Sequence, residues 1–168
     1  MRVLVLCILW MAGLLLPAAA WEDTAVGIRF AAPRRWEARQ KDPGARVRFV
    51  APAAPGLRSN IGFQIVDLDP SQPLDEQQIL TVARRLASDL QDYRMLGSKA
   101  VSVAGLDGHR LSYRAVVKGK PIQATQVFAV RAGRLLLFTL TTEPDKHPAG
   151  RTVLDSMLSS IEWLDEPR

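Results

Sequence analysis

Glu143, Asp145 and His147 alternate along one short stretch of the chain. In an extended segment all three side chains would point the same way. Two carboxylates and an imidazole suit Zn²⁺ or Mn²⁺, so these three are the candidate metal ligands. The spacing is not that of a recognised zinc motif, and Pro144 and Pro148 share a polar loop with them. The alternative reading is three solvated side chains on a surface loop. A second group is basic. Arg29, Arg34, Arg35, Arg39, Lys41, Arg46 and Arg48 stand against only Glu37 and Asp42. Arg34, Arg35, Arg46 and Arg48 are the candidate partner-binding residues, because the first two sit at a corner and the last two share a strand face. Such a patch suits the lipid headgroups of an anionic membrane surface or an acidic partner protein. The alternative is a charged edge that discourages sheet-to-sheet pairing.

Catalytic chemistry finds little support. No serine lies in a Gly-x-Ser-x-Gly elbow, and no glycine-rich loop is built to cradle phosphates. The one cysteine, Cys7, sits in the leader described below. His109 opens a strand on the face of Leu111 and Tyr113, where a histidine reads as a hydrogen-bonded edge of the core. No catalytic residue and no cofactor is expected. No aromatics interleave the arginines as a nucleic-acid groove would require. Trp36, after a proline corner, is expected to pack on the sheet, with a pocket beneath it as the alternative.

These residues sit behind an N-terminal leader. Arg2 gives a positive start, residues 3–16 are apolar apart from one glycine, Pro17 breaks the run, and Ala18-Ala19-Ala20 offers small residues for cleavage. That is the anatomy of a secretory signal peptide over residues 1–20, short for a membrane span. An uncleaved N-terminal anchor is the alternative. Cys7 comes too early for a lipoprotein anchor. A mature chain starting near Trp21 would be exported, periplasmic in a bacterium with two membranes, and free of thiols. Its roughly 148 residues (21–168) make one domain with a real core. The whole chain of 168 residues carries a formal charge of +5, which favours solubility and weak attraction to anionic surfaces.

The elements that must position these groups follow from periodicity. Residues 26–31 read as a first strand. Residues 46–50 alternate arginine with Val47 and Phe49, and Ile61, Phe63 and Ile65 line one face of a third strand. The stretch 51–60, rich in Pro and Gly, is a loop. Residues 75–91 predict a helix, with Ile79, Val82, Leu86 and Leu90 as its apolar stripe and Asp75 with Gln78 as a capping box, flanked by a Leu74–Ile79 staple. Arg84 and Arg85 fall on its solvent side. Four strands follow, at about 99–103, 109–117, 122–130 and 134–141, with turns expected at Asp107-Gly108, Gly119-Lys120 and Ala132-Gly133. The run Leu135-Leu136-Leu137-Phe138 marks a central strand covered on both faces. Residues 143–150 read as a loop, and Val153, Leu154, Met157, Leu158 and Ile161 as the inward stripe of a closing helix. The order is three strands, helix, four strands, helix. It predicts an α+β fold: an antiparallel sheet of about six or seven strands sandwiched between helices.

In that order the chain resembles the PsbP/Mog superfamily, which includes bacterial DcrB-like envelope proteins. The resemblance rests on Gly27-Ile28-Arg29-Phe30 with Pro33-Arg34-Arg35-Trp36, on Asn60-Ile61-Gly62-Phe63, on Leu74-Asp75-Glu76, on Val103-Ala104-Gly105-Leu106-Asp107-Gly108-His109, and on Ser160-Ile161-Glu162-Trp163. It spans about 26–163. It implies a helix–sheet–helix sandwich, a binding or assembly role and no shared active site. Members include a photosystem accessory subunit and a nucleotide-release factor for the Ran GTPase. Export excludes the latter role, and the former needs a phototrophic source. The expectation is an exported, non-catalytic accessory protein of the envelope, with a small-ligand or metal-binding periplasmic carrier as the alternative and a hydrolase last.

Overall fold

The computed structural model describes residues 19–40, 44–67, 77, 78, 81, 85 and 88–164. The leader up to residue 18 lies outside them. Ten strands are described: β1 (Ala20–Asp23), β2 (Ile28–Ala31), β3 (Glu37–Gln40), β4 (Val47–Val50), β5 (Asn60–Asp67), β6 (Gln91–Val103), β7 (Leu106–Val117), β8 (Lys120–Arg131), β9 (Arg134–Thr142) and β10 (Glu162–Trp163). A short 3₁₀ turn (Pro144–Lys146) leads into helix α1 (His147–Ser159).

Seven strands form one antiparallel sheet in the order β3-β4-β5-β9-β8-β7-β6. β9 is its central strand, as the unbroken apolar run requires: Leu136, Phe138 and Leu140 are buried on one face, while Leu135 and Leu137 pack into a second cluster on the other. The expected first strand does not join this sheet. β2 pairs with β1 and β10 in a separate three-stranded sheet. The large sheet still has seven members because β3 takes the edge.

The main core lies between the large sheet, the small sheet and α1. Phe30 of β2 meets Phe49, Phe63 and Phe138 edge-on at ring distances of 6.1, 5.7 and 5.8 Å. Trp21 of β1 closes over Phe30 and Phe63. α1 contributes Leu154, Met157 and Leu158, followed by Ile161, and each such buried side chain stabilises by about 1.5–3 kcal/mol. Gly150 lets the helix seat closely: a Cβ there would stand 2.9 Å from the Thr142 Cγ2 and 3.1 Å from Leu140. Trp36 packs against this core. On the opposite face Leu57, Leu90 and Tyr93 pack against Leu111, Tyr113, Ala115, Ile122, Ala124 and Phe128. Of the helix expected at 75–91, Gln77, Gln78, Thr81, Arg85, Ser88 and Asp89 are helical. Its cap, Asp75, and most of its stripe lie outside the described residues. The large antiparallel sheet with a helix on one face is the architecture the described residues establish.

Three hairpin turns in a row join β6 to β9, and all have positive φ at both central residues: Ala104-Gly105 (48°, 84°), Lys118-Gly119 (49°, 73°) and Ala132-Gly133 (49°, 72°). These are the turns whose twist matches antiparallel strands. Only the last falls where the sequence predicts it. The second is displaced by one residue. Asp107 and Gly108 lie within β7, where Gly108 serves close approach: a Cβ on it would meet the Phe128 carbonyl oxygen at 2.5 Å.

Candidate functional site

The segment meant to present a metal triad is not extended. Pro144–Lys146 form the 3₁₀ turn and His147 opens α1, so the alternation of residues 143, 145 and 147 no longer places them on one face. Glu143 turns back to accept the Leu57 N–H at 2.8 Å and to pair with the Lys146 Nζ at 2.5 Å. Lys146 in turn donates to the Pro55 carbonyl at 2.8 Å. The Lys146 hydrogen bond, then the Leu57 amide, hold the Glu143 carboxyl below its usual range. Its work is to latch the 51–59 loop to the end of β9. Asp145 points to solvent. Among the described residues no group of three His, Cys, Asp or Glu side chains is placed to hold a metal ion.

The four arginines chosen from sequence do not form one surface. Arg34 and Arg35 are exposed on the corner after β2, Arg35 with φ 64°. Arg34 helps line a groove of about 340 Å³ between that corner and α1, with Ala31, Pro33, Val153 and Met157. Arg46 lies at the other end of the small sheet, 3.9 Å from Asp23. Arg48 lies on the opposite face of the large sheet and donates to the Asn60 Oδ1 at 3.1 Å. Within this set only Arg34 and Arg35 stand together.

A polar ladder the sequence reading missed runs between α1 and β7. The Thr125 hydroxyl, fully buried on β8, sits 2.9 Å from the His147 Nε2 and 3.0 Å from the Ser112 Oγ on β7. His147 is itself only 7 % exposed. Burial, and then the charge of Arg114, push its imidazole below the ordinary value of 6.5, so the buried ring is held neutral. One strand step to either side of Ser112 stand Arg114 and Arg110. Arg114 is fixed by the Gln123 Oε1 at 2.9 Å. Arg110 reaches Asp155 of α1 at 2.6 Å, and Asp155 also holds Arg151 at 2.9 Å. His147, Arg151 and Asp155 follow at four-residue spacing, so one side of the helix faces the polar face of β7. His147 thus takes part in a hydrogen-bonded chain from the core to the surface. The alternation of Arg110, Ser112 and Arg114 is visible in the sequence, but their partners come from residues 123–155.

His109 lies on the other face, its Nε2 2.6 Å from the Ser98 Oγ. Among the described residues no helix is long and apolar enough to cross a membrane.

Comparison with solved structures places this architecture among known folds. The solution structure of cyanobacterial PsbP (CyanoP) from Synechocystis sp. PCC 6803 superposes with a TM-score of 0.66 at 18 % identity, over 90 % of this chain and 95 % of that one. The crystal structure of LpqN, involved in cell envelope biogenesis of Mycobacterium tuberculosis, superposes with a TM-score of 0.65 at 17 % identity, over 82 % and 83 %. Protein PA94 from Pseudomonas aeruginosa gives 0.62 at 16 %, over 89 % and 98 %. At such identities the likeness is one of fold, the PsbP-like fold that the sequence order predicts. No curated protein matches the sequence. The DcrB family model matches residues 49–160, from β4 through α1. That stretch is more than half of the chain, and the protein belongs to the DcrB family.

Proposed function

We propose that the protein is an exported, non-catalytic accessory protein of the bacterial envelope that recognises another envelope component through its surface. The observation that carries this reading is the DcrB match, which covers the segment building most of the large sheet and α1. The shared fold with LpqN, a protein of envelope biogenesis, supports it. The leader-like residues 1–20 support export. The contact surface in this reading is the corner carrying Arg34 and Arg35, exposed beside the groove against α1. A backbone held at positive φ on an arginine costs of order 1 kcal/mol or more, and here it turns that corner outward.

Photo-crosslinking from position 152, exposed on α1 and lining the same groove, in the native cell tests the proposal. The expected result is a processed protein outside the cytosol, crosslinked to one envelope component, with the adduct lost in Arg34→Glu/Arg35→Glu while the melting temperature is unchanged. Unprocessed protein resident in the cytosol overturns it, as does purified protein that turns over a substrate and loses that turnover on one point substitution. A small-ligand role is favoured by a different observation, the grouping of Arg110 and Arg114 of β7 with Arg151 of α1 around the ladder that ends at His147.

A further inference from the structure

We infer that the side of α1 and the exposed face of the β6–β7 hairpin together form a cleft that binds a phosphate group, carried either by a small soluble molecule or by a lipid headgroup. This inference stands apart from the envelope role, since the cleft binds its ligand whatever the protein's partner is.

The register of the hairpin sets the site. Arg94 of β6 lies opposite Arg114, Gly97 opposite Ser112, and Lys99 opposite Arg110. Directly opposed residues share a face, so Arg94, Lys99, Arg110 and Arg114 flank Ser112 on the face of the sheet on which α1 packs, with Arg94, Lys99 and Arg114 exposed beside the helix. From the helix comes Arg151. Among the described residues the carboxylate paired with these cations is Asp155, already shared by Arg110 and Arg151. Gly97 keeps the floor open: a Cβ there would find no atom within 4 Å. The result is an uncrowded spot beside a serine hydroxyl, ringed by positive charge in large excess. Arginine forks are the side chains that match phosphate oxygens best. Arg114 and Arg151 are each held at Nε by Gln123 and Asp155. Both are therefore oriented in advance with terminal nitrogens to spare, which lowers the ordering cost of binding.

The hydroxyl ladder adds a directional element. Ser112, Thr125 and His147 form one chain of hydrogen bonds. When the His147 Nε2 accepts, Thr125 donates to it, Ser112 donates to Thr125, and the chain is closed to the cleft. When Nε2 carries the proton, Thr125 donates to Ser112 instead. The Ser112 proton is then free for an anion in the cleft. A bound phosphate therefore favours the second direction, and its charge favours a protonated imidazole. The charged groups facing this ladder are Arg114 and Arg110 from β7, Arg94 and Lys99 from β6, and Arg151 and Asp155 from α1.

Titration with inorganic phosphate, followed by NMR at the His147 imidazole and the Ser112 amide, tests the site. The expected result is saturable shifts with a dissociation constant below about 5 mM, and a His147 titration midpoint that rises when phosphate is present. Arg114→Gln and Arg151→Gln should each weaken binding about tenfold or more. Ser112→Ala should abolish the rise in the His147 midpoint. Arg29→Gln removes the same charge from the distant small sheet and should change nothing. Glycerol phosphate and vesicles with or without phosphatidylglycerol then separate the sources. Vesicle binding that needs Arg114 and Arg151 assigns the lipid headgroup, and binding of the soluble phosphates alone assigns a free ligand. Either result supports the cleft. Absence of saturable shifts up to about 20 mM phosphate, or equal weakening by Arg29→Gln, overturns it.

Discussion

Thr125→Val isolates the hydrogen-bond ladder from everything else the buried threonine does. Valine has the same shape and replaces the hydroxyl with a methyl group. The perturbed atoms are defined: the His147 Nε2 loses its partner at 2.9 Å and the Ser112 Oγ its partner at 3.0 Å. Ser112 is only half-buried and can turn to water in the cleft. His147 cannot, because its ring is buried at the start of α1, and an unsatisfied buried nitrogen costs about 1–3 kcal/mol. The added methyl group returns up to about 0.8 kcal/mol. The expected net loss is therefore about 1–2 kcal/mol, or about 2–8 °C in melting temperature for a domain of this size. Urea unfolding should show a lower midpoint with an unchanged m-value. A double-mutant cycle with His147→Ala decides the cause. If the cost is the orphaned imidazole, Thr125→Val becomes neutral or slightly stabilising once the imidazole is gone. An equal loss in both backgrounds would refute the reasoning and place the cost in packing around residue 125.

Three further outcomes are expected. The folded His147 titrates below the 6.5 of a free imidazole, so the unfolded chain binds more protons in that window. Stability is then full above pH 6.5 and falls as the pH drops through the lowered folded value; chemical denaturation at stepped pH should show that slope in the wild type and lose it in His147→Gln. At the alkaline end, burial and then the neighbouring Tyr93 push the Tyr113 phenol up to about 12, and burial also raises Tyr93. The chain has only these two tyrosines, so absorbance at high pH should show phenolate forming above the range of a free phenol while the fold persists, and native stability should fall as the pH rises from 10 towards 12. Finally, Gly108→Ala places a Cβ against the Phe128 carbonyl and should cost about 3 kcal/mol or more, whereas Gly97→Ala, with open space around it, should stay within about 0.5 kcal/mol; paired urea curves compare the two.

The parts of the fold that sequence shows are those with a clean period. β7 alternates Leu111, Tyr113 and Ala115 inward with Arg110, Ser112 and Arg114 on the other side, and it folds that way. β9 declares its central place through four consecutive apolar residues. The misses have local causes. β6 extends back to Gln91, far before the expected start at 99. Register shifts between Gln91 and Arg94 and between Met95 and Gly97 break the alternation that would have revealed it. β1 and β3 are four residues each, and β3 is exposed throughout, so neither carries an apolar signal. Asp-Gly reads as a turn on composition, yet at 107–108 the glycine is needed inside a strand for close approach to β8. Residues 143, 145 and 147 do not present a metal triad, because a period of two does not hold where the chain forms a 3₁₀ turn and a helix start.

The cleft itself was beyond any such reading, for a reason rooted in geometry. Eight residues along a helix advance about 12 Å, whereas two residues along a strand advance about 6.8 Å. His147 meets Thr125 at the level of Ser112, and Asp155, eight residues on, meets Arg110, only one strand step away. α1 runs opposite to β7, and the long Arg110 side chain spans the difference. Each element carries a regular polar row, and each row by itself reads as an ordinary solvated face. Only the seating of α1 brings the two rows together, and Gly150 against Thr142 and Leu140 permits that seating. The chemistry of the cleft is therefore a property of the helix–sheet contact, and displacing α1 by one turn would pair Arg151 with the arginines of β7 and leave the buried threonine without its imidazole.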